Sequence, residues 1–279
     1  MLSPVTRLGV LGWPVAHSRS PAIQNAALSA VGLSDWRYQL LPVPPDLFAE
    51  LVTALPQAGF RGVNVTIPHK QAALNVATEP TPRARAIGAA NTLVFDPGGT
   101  TTADNTDAPA LVSSLPVPVR GATAIVIGAG GSARAAVWAL LDAGAASVGV
   151  WNRTTERAAR VCAELGGTPV EEVSGADILV NCTSVGLDGS TPFDRLPVSA
   201  AGLTSFGCIV DLVYAPAGTA LIREARARGI ATVDGLELLV GQGALSFELF
   251  TGRPAPVEAM RAAARGEAAR PDGSYRGPR

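Results

Sequence analysis

A glycine-rich turn near the middle of the chain constrains the fold more than any other feature. The apolar segment ATAIVI runs into six small residues, and the helical pattern SARAAVWALL begins within them. The six are Gly128, Ala129, Gly130, Gly131, Ser132 and Ala133. Glycine lets a strand turn sharply into a helix and lets the backbone approach a pyrophosphate at the helix N-terminus. The turn predicts a dinucleotide-binding domain, and a tight strand-to-helix turn without a ligand is the alternative.

The segments after this turn alternate between short apolar runs and amphipathic stretches. SVGVW, ADILVNCT and CIVDLVY are apolar along most of their length, whereas TTERAARVCAELG and ALIREARARG have helical spacing. Parallel strands that are buried on both faces and joined by crossover helices have this pattern. It predicts an α/β fold with a Rossmann-like, doubly wound parallel sheet.

The N-terminal part predicts a separate α/β region. RLGVLGW, WRYQLLPV and FRGVNVTI have the pattern of strands, and PAIQNAALSAVGL and PDLFAELVTAL that of helices between them. We expect Ser20 to cap the first helix, since Pro21 suits the first helical position. NTLVFDPGGTTTAD predicts two short strands joined by a turn. LELLVGQGALSFELF and PVEAMRAAARG predict two C-terminal helices that could pack on either region.

Length and composition limit the class of protein. The chain has 279 residues, 47% of them hydrophobic, which suffices for two modest cores. Only 16% are charged and the net charge is -1, so nothing favours nucleic acid or a membrane surface as a partner. The sequence contains no signal-like start and no apolar run of about 18 residues, so we expect a cytoplasmic protein. Two histidines and three cysteines without CxxC spacing predict no metal site.

The strand after the glycine-rich turn predicts which dinucleotide is bound. SVGVW should end beside the adenosine ribose, about 20 residues beyond the turn, where NAD-binding sites carry a carboxylate. Here the strand is followed by Asn152, Arg153 and Thr154, with Arg157 one helical turn later. A guanidinium can make two charge-assisted hydrogen bonds to a 2′-phosphate. The sequence therefore favours NADP over NAD, and a solvated, charged helix start is the alternative.

Polar residues cluster at predicted strand ends in the N-terminal part. They are Ser18, Ser20, Asn64, Thr66, Lys70, Asn91, Thr92, Asn105, Thr106 and Asp107. Ligands of open α/β sheets bind at strand ends, and this set of hydroxyls and amides with one lysine and one aspartate suits a polyol acid. Each residue also has an ordinary explanation, such as a helix cap for Ser20, a turn for Asn91 and a solvated side chain for Lys70.

These motifs, in this order, resemble the shikimate dehydrogenase family over nearly the entire chain. The matching segments are GWPVAHSRSP from Gly12 with Asn25, NVTIPHK from Asn64, GAANTL from Gly88, DNTD from Asp104, GAGGSARA from Gly128, NRTTERA from Asn152, NCTSVGL from Asn181, DLVYAP from Asp211 with Thr219, and the stretch from Gln242 to Gly252. The resemblance implies an oxidoreductase that uses NADPH to reduce 3-dehydroshikimate to shikimate.

The resemblance also implies the domain organisation. An α/β domain over residues 1–106 would bind shikimate and would be completed by helices at about 240–266. The Rossmann-like NADP domain would span 107–239, and 267–279 would form a disordered tail. The protein would be a monomer or a homodimer, with small molecules as its ligands.

Residue by residue, the resemblance implies a division of roles. Lys70 would protonate or stabilise the developing alkoxide, and Asp107 would orient the ammonium and the hydroxyl, so that the two form the catalytic pair. The substrate-binding residues would be Ser18, Ser20, Thr66, Lys70, Asn91, Asp107, Tyr214 and Gln242. Besides the glycine-rich turn and the segment after SVGVW, the cofactor-binding residues would include Thr183, Leu212 and Gly235.

Some positions depart from the family pattern, and two other functions stay open. The departures are Gln24, Pro109, Ala110, Glu237 and Leu238, of which the last two are expected on the nicotinamide side. A quinate or aminoshikimate dehydrogenase of the same superfamily is one alternative, although Ser20 and Arg153 favour shikimate and NADP. A catalytically silent NADP-binding sensor is the other, and the presence of both Lys70 and Asp107 argues against it.

Overall fold

The computed structural model describes residues 5–215 and 217–267, and the chain folds into two compact units. The first unit comprises the residues up to Thr106 and those from Leu239 onward, and the second unit comprises Asp107–Leu238. The second unit therefore ends one residue before the boundary expected at 239. Of the predicted tail, residues 268–279 lie outside the described residues.

The first unit is built on a mixed, six-stranded sheet with the strand order β2-β1-β3-β5-β6-β4. β1 pairs in parallel with β2 and β3, whereas β5 runs antiparallel to β3 and β6. The predicted β-α-β-α-β succession and the antiparallel strand pair are confirmed. The elements are β1 (Thr6–Gly12), α1 (Ser20–Ala30), β2 (Trp36–Pro42), a 3₁₀ turn (Pro45–Leu47), α2 (Phe48–Ala54), β3 (Phe60–Val65), α3 (Lys70–Val76), β4 (Glu79–Pro80), α4 (Pro82–Ile87), β5 (Thr92–Phe95) and β6 (Thr101–Asp104).

The expectation that Ser20 caps the first helix was wrong. The helix α1 begins at Ser20 itself, and the cap position before it is occupied by Arg19, whose side chain makes no cap hydrogen bond to the described residues. Pro21 is then the second helical residue, where its missing N–H still costs no intrahelical hydrogen bond. The Ser20 side chain is buried, so its hydroxyl is available to the interior of the first unit.

The second unit is built on a six-stranded, all-parallel sheet with the strand order β12-β11-β10-β7-β8-β9. Apolar clusters cover both faces, which explains why the strand sequences are almost continuously apolar. The predicted doubly wound parallel sheet is confirmed. The elements are α5 (Asp107–Ser114), β7 (Thr123–Ile127), α6 (Gly131–Asp142), β8 (Ser147–Trp151), α7 (Thr155–Leu165), β9 (Thr168–Pro169), β10 (Ala176–Asn181), a 3₁₀ turn (Ala201–Ser205), β11 (Phe206–Asp211), α8 (Ala220–Ala227) and β12 (Ala231–Val233).

The two predicted C-terminal helices are confirmed as α9 (Gly235–Thr251) and α10 (Val257–Arg265). α10 packs against α1 of the first unit, where Met260 is fully buried. In the part of α9 that belongs to the first unit, the carbonyl of Gly243 accepts a hydrogen bond of 2.9 Å from Gln24 Nε2 on α1. None of the described helices is long and apolar enough to cross a bilayer.

Candidate active site

One edge of the first unit's sheet gathers most of the polar residues that the sequence singled out. In the parallel pair β1–β3, Leu11 lies opposite Val65, so both strands end at this edge. In the antiparallel pairs, Thr92 lies opposite Asn64 and Asp104, so β5 begins where β3 and β6 end. The sheet therefore places segments that are distant in sequence side by side.

Asn91, immediately before β5, is the centre of a buried network of neutral groups. Its Oδ1 accepts hydrogen bonds from the backbone N–H of Thr106 at 2.8 Å and from Thr92 Oγ1 at 3.0 Å. Its Nδ2 donates to Thr106 Oγ1 at 2.9 Å and to Gln242 Oε1 at 3.3 Å. The structure thus brings Asn91 and Gln242 together in the first unit.

Asn64 and Tyr38 extend this network towards the first helix. The Tyr38 hydroxyl donates to Asn64 Oδ1 at 2.7 Å, and Asn64 Nδ2 donates to Thr92 Oγ1 at 3.2 Å. Burial raises the pKa of Tyr38 well above its ordinary value, and a hydrogen bond with Ser20 opposes that rise. The hydroxyl therefore stays protonated and acts as a fixed donor.

Sequence analysis missed Tyr38. In β2, Tyr38 is the residue buried most deeply, and its neighbours Arg37 and Gln39 are exposed. The sequence does contain a signal for this residue, because Tyr38 is an aromatic residue with a polar group in a strand whose other residues are polar or partly exposed. A buried tyrosine hydroxyl requires a hydrogen-bond partner, which points to a polar cluster nearby. Asn25 supports the same residue from α1, since its side chain bonds both the N–H and the carbonyl of Tyr38.

Ser18 and Ser20 lie together at the start of α1. Their hydroxyl oxygens are 3.2 Å apart, and the Ser20 N–H donates to Ser18 Oγ at 3.3 Å. Adjacent hydroxyls of this kind can donate two hydrogen bonds to one carboxylate.

Lys70 is the first residue of α3 and is half-buried. Its carbonyl accepts a hydrogen bond of 2.8 Å from Ala90 N–H, which fixes the start of α3 beside the residue that precedes Asn91. Thr66 follows β3, and its N–H donates to Leu11 O of β1 at 2.8 Å. Lys70, Thr66 and Asn91 thus belong to the same sheet edge.

The histidine next to Lys70 has a packing role. His69 is buried, with its Nε2 2.8 Å from Val43 O and its ring stacked on Phe48 at 4.5 Å between centroids. Burial lowers its pKa, which the hydrogen bond to Val43 partly opposes. A neutral, stacked imidazole holds the chain just before Lys70.

An ion pair anchors the segment that leads to Asp107. The Asp104 carboxylate is buried and is paired with Arg83 at 2.6 Å. It also accepts hydrogen bonds from Thr81 Oγ1 at 2.8 Å and from the N–H of Asn105 at 2.7 Å. Asp107 itself is the first residue of α5, in the second unit, where a carboxylate is stabilised by the helix dipole.

The glycine-rich turn of the second unit has the form that a pyrophosphate requires. Gly128 adopts φ +118°, a backbone conformation that favours glycine, so any other residue there would be strained. A Cβ at this position would also lie 3.4 Å from the backbone of Cys182. At Gly130, a Cβ would meet no atom within 4 Å, so the space beside the first turn of α6 is open. Gly130 is the cap residue of α6, without a side-chain cap from the described residues and without an acidic residue in the first turn. These features fit an anionic dinucleotide.

The position of this turn in the sheet fits a cofactor as well. β8 and β9 lie on one side of β7, whereas β10, β11 and β12 lie on the other. The strand order therefore reverses at β7, and ligands of doubly wound sheets bind at such a reversal. Gly128 and Ala129 follow β7 at this point, and Gly131, Ser132 and Ala133 are the first residues of α6.

The segment after β8 carries exposed cations. Arg153 and Arg157 are both exposed, and Asn152 Nδ2 donates to Thr154 O at 2.9 Å, which shapes the turn into α7. The guanidinium groups are therefore accessible to a phosphate. The described residues contain no group of three His, Cys, Asp or Glu side chains that could hold a metal ion.

The remaining expected residues of the second unit lie on neighbouring loops. Thr183 follows β10, and Leu212 and Tyr214 follow β11. Gly235 begins α9, and a Cβ there would lie 2.6 Å from Val213 O, so only glycine fits this close approach. Sequence analysis missed Asp211, the last residue of β11, whose buried carboxylate lies between these loops.

The structure shows the surroundings of two residues that depart from the family pattern, Gln24 and Glu237. Gln24 is buried in the first unit, and although its Nε2 is bonded to Gly243 O, its Oε1 has no hydrogen-bond partner among the described residues. Glu237 lies in the first turn of α9, and its N–H donates to Asp234 Oδ1 at 3.2 Å.

Family models match both units of the chain. The model described as shikimate dehydrogenase substrate binding domain matches residues 10–93. The one described as shikimate / quinate 5-dehydrogenase matches residues 111–185, and the shikimate 5'-dehydrogenase C-terminal domain matches residues 235–265.

Full-length relatives show the same similarity. The shikimate dehydrogenase (NADP(+)) of Methylobacterium radiotolerans is 45% identical over 271 residues, with 91% of this chain and 95% of the relative covered. That of Paracoccus denitrificans is 42% identical, with coverages of 90% and 92%. Among solved structures, shikimate 5-dehydrogenase from Thermus thermophilus, in complex with NADP(H) and shikimate, superposes with a TM-score of 0.84 at 40% identity, covering 94% of this chain and 99% of that one.

Proposed function

This chain belongs to the shikimate dehydrogenase family, and we propose that it catalyses the reversible, NADPH-dependent reduction of 3-dehydroshikimate to shikimate, a step of chorismate and aromatic amino acid biosynthesis. The observation that carries this proposal is the polar edge of the first unit's sheet. There the backbone bond between Ala90 and Lys70 fixes the chain's only lysine beside Asn91. A residue whose ammonium can transfer a proton thus begins α3 at the sheet edge that gathers groups suited to hydroxyls.

The substrate would be recognised by groups that the network already orients. Asn91 and Gln242 are hydrogen-bonded to each other, so each presents its amide in a defined direction to the substrate hydroxyls. We assign the substrate carboxylate to Ser18 and Ser20, whose hydroxyl oxygens are 3.2 Å apart. Thr66 and Tyr214 complete the set of substrate-binding residues that we propose.

Lys70 and Asp107 are the catalytic residues in this proposal. When bound, the reduced nicotinamide of NADPH supplies the hydride for the C3 ketone of 3-dehydroshikimate. Lys70 Nζ donates a proton to the C3 oxygen as negative charge develops on it, which leaves a neutral amine and a C3 hydroxyl. Asp107 orients the ammonium and the hydroxyl. In the oxidation direction Lys70 takes this proton back.

The second unit would hold NADP through the features described for it. The open N-terminus of α6 at Gly130 takes the pyrophosphate, and Arg153 and Arg157 take the 2′-phosphate through charge-assisted hydrogen bonds. Thr183, Leu212 and Gly235 would contact the rest of the cofactor. The oligomeric state and the cytoplasmic location stay predictions.

A turnover assay tests the proposed function directly. The protein is assayed with shikimate and NADP⁺, and the assay is repeated with quinate and with NAD⁺. We expect the highest kcat/KM for shikimate with NADP⁺. A higher value for quinate would assign the protein to the quinate alternative, and NADPH binding without turnover of either substrate would favour the sensor.

A further inference from the structure

A buried carboxylate lies at the cofactor edge of the second unit, outside the roles assigned above. Asp211, the last residue of β11, is only 1% exposed. Its Oδ1 accepts hydrogen bonds from Asn181 Nδ2 at 2.9 Å and from Val213 N–H at 3.1 Å. Its Oδ2 accepts one from Thr219 Oγ1 at 2.6 Å. All three donors are neutral groups.

This arrangement is costly for the fold. Burial raises the pKa of Asp211 to about 6, the three hydrogen bonds oppose that rise, and the negative charge of Asp234 adds to it. A buried charge held by neutral donors usually contributes less to stability than a neutral residue of similar shape would. When a buried group that lowers stability lies at the ligand-binding edge of a sheet, a functional role is expected for it.

The contacts of Asp211 reach the loop after β10. Asn181 lies directly opposite Asp211 in the sheet, and its Nδ2 is bonded to the carboxylate. With its Nδ2 held, Asn181 points its Oδ1 at Thr183 and accepts hydrogen bonds from Thr183 Oγ1 at 2.7 Å and Thr183 N–H at 3.1 Å. Asp211 therefore determines the position of Thr183 through Asn181.

The same carboxylate holds the loop after β11. Its bond to Val213 N–H fixes the peptide that follows Leu212. A Cβ on Gly235 would lie 2.6 Å from Val213 O and 2.8 Å from Leu212 O, so the place of Gly235 depends on this peptide. At the far end of the loop, Thr219 is bonded to Asp211 and caps α8 by accepting from Ile222 N–H at 3.3 Å.

We propose that Asp211 is a positioning residue for the cofactor, which it does not touch. It ties the loops after β10 and β11 together, so that Thr183, Leu212 and Gly235 present one preformed surface to NADP. Since this role rests on the proposed function, NADPH binding to the second unit is measured as well as turnover.

Three variants separate positioning from plain stability. Asp211→Ala removes all three bonds. Asp211→Asn keeps the Oδ1 acceptor for Asn181 and Val213, and its amide can donate to Thr219 Oγ1. The matched control is Asp177→Ala: Asp177 is at the opposite end of β10, and its carboxylate accepts from Thr123 N–H at 2.7 Å and from Thr123 Oγ1 at 2.8 Å.

The measurements are kcat, the KM values for NADP⁺ and shikimate, and the NADPH Kd by fluorescence titration. We expect Asp211→Ala to raise the NADPH Kd and the KM for NADP⁺ about tenfold or more, the factor for one hydrogen bond that the displaced loops no longer make to the cofactor. The KM for shikimate should rise less than the KM for NADP⁺, because Tyr214 is the only proposed substrate-binding residue on these loops. Asp211→Asn should stay within about threefold of the parent in every constant. Asp177→Ala should match the parent.

Two results would overturn the proposal. One is an NADPH Kd for Asp211→Ala equal to that of Asp177→Ala, and the other is an equal rise in both KM values. If Asp211→Ala does not fold, Thr219→Val decides, because it removes the Oγ1 donor to Asp211, together with the cap of α8, and leaves the carboxylate in place. An NADPH Kd equal to that of the parent would contradict the role, and a rise that is reversed in Thr219→Ser would support it. If the parent protein binds NADPH but does not turn over shikimate, the proposed function is wrong. The NADPH Kd values of the variants can then still be compared, so the role of Asp211 in cofactor binding is tested independently.

Discussion

The two units each bury a polar cluster at the carboxyl edge of a sheet, but the clusters differ in charge. In the first unit, the hydrogen bonds that link Tyr38, Asn64, Asn91 and Thr92 join neutral hydroxyl, amide and carbonyl groups. In the second unit, the cluster is centred on a carboxylate, Asp211, bonded to Asn181 and Thr219. A neutral network can be buried at little electrostatic cost, whereas a carboxylate cannot.

This difference matches what each unit has to do. In the proposed function, the first unit presents directional hydrogen bonds to the hydroxyls of the substrate ring, and Lys70 is half-buried at the start of α3. In the same proposal, the second unit holds a long, anionic ligand with backbone groups and with Arg153 and Arg157, both of which are exposed. We therefore expect variants of Lys70 and of the neutral cluster to change kcat and the KM for shikimate, and variants of Arg153 and of the Asp211 cluster to change cofactor binding.

The largest effect is expected at Lys70. Lys70→Ala should lower kcat by roughly 10²–10⁴, the range for loss of a positioned acid–base group. The NADPH Kd should stay at the parent value, because Lys70 belongs to the first unit. Steady-state kinetics and a fluorescence titration measure the two quantities, and circular dichroism checks folding. A kcat within threefold of the parent value would show that Lys70 is not a catalytic residue. A large change in the NADPH Kd would contradict the assignment of Lys70 to the substrate alone.

Arg153 tests the second unit in the same way. Arg153→Ala should weaken NADPH binding by about 10- to 150-fold, the equivalent of about 1.5–3 kcal/mol for one charge-assisted hydrogen bond, and should leave NADH binding almost unchanged. Arg160→Ala is the matched control, since Arg160 is an exposed arginine of α7, the helix that follows Arg153. Equal losses for the two cofactors would show that Arg153 does not contact the 2′-phosphate.

How much of this could be predicted from the sequence depends on how local each feature is. The glycine-rich turn and the strand that precedes it are contiguous, so their geometry follows from chain order alone. Tyr38 and Asn64 are 26 residues apart, and Asp211 and Asn181 are 30 apart. Only the sheet register brings such pairs together, and the register could not be derived from the apolar pattern. Asn91 and Gln242 are 151 residues apart, and Gln242 was expected at the substrate site only through the family resemblance.

The error at Ser20 has a local cause. A serine before a proline favours a cap, but here Arg19 already has helical dihedral angles, with φ -87° and ψ -2°. The Ser20 N–H is bonded to Ser18 Oγ, which takes up one of the free N–H groups of the first turn. The helix therefore begins one residue earlier than the capping pattern indicates.

The charge of Asp211 should make the second unit's stability depend on pH. Burial raises its folded pKa to about 6, above the unfolded value of 3.8. The stability associated with this group is present below pH 3.8 and is lost as the pH rises to about 6, a change of about 3 kcal/mol. Relative to the parent, Asp211→Asn should gain stability as the pH is raised from 4.5 to 7.5, as measured by urea unfolding. A difference that does not vary with pH would mean that Asp211 is not the titrating group.

Tyr38→Phe provides the neutral counterpart in the first unit. It removes the donor to Asn64 Oδ1 and leaves that buried acceptor with a weaker contact of 3.4 Å from Ser246 Oγ. We expect a loss of about 1–2 kcal/mol of unfolding free energy. Because no group of this bond ionises near neutrality, the loss should be the same at pH 5 and pH 7.5. A loss that changed between these values would show that the first cluster also carries a titrating group.

The smallest effect, and the one that bears most directly on specificity, is expected at Ser20. Quinate carries an additional hydroxyl on the carbon that bears the carboxylate, so a side chain that crowds this carbon can exclude it. Ser20 is 7% exposed and its hydroxyl faces that of Ser18, which suits a carboxylate and leaves little room beside it. Ser20→Gly should therefore raise the KM for shikimate and increase the quinate-to-shikimate ratio of kcat/KM by about tenfold, the lower end of the range of about 10- to 200-fold by which small steric differences discriminate.

Ser18→Gly is the control for the Ser20 variant, because it removes the other hydroxyl of the pair without opening the same space. It should raise the KM for shikimate and leave the quinate-to-shikimate ratio unchanged. Since Ser20 does not cap α1, a loss of capping cannot explain a change in the Ser20→Gly variant. If both variants kept the parent ratio, the carboxyl carbon would be recognised elsewhere in the first unit, and the serine pair would serve the neutral cluster through Tyr38 alone.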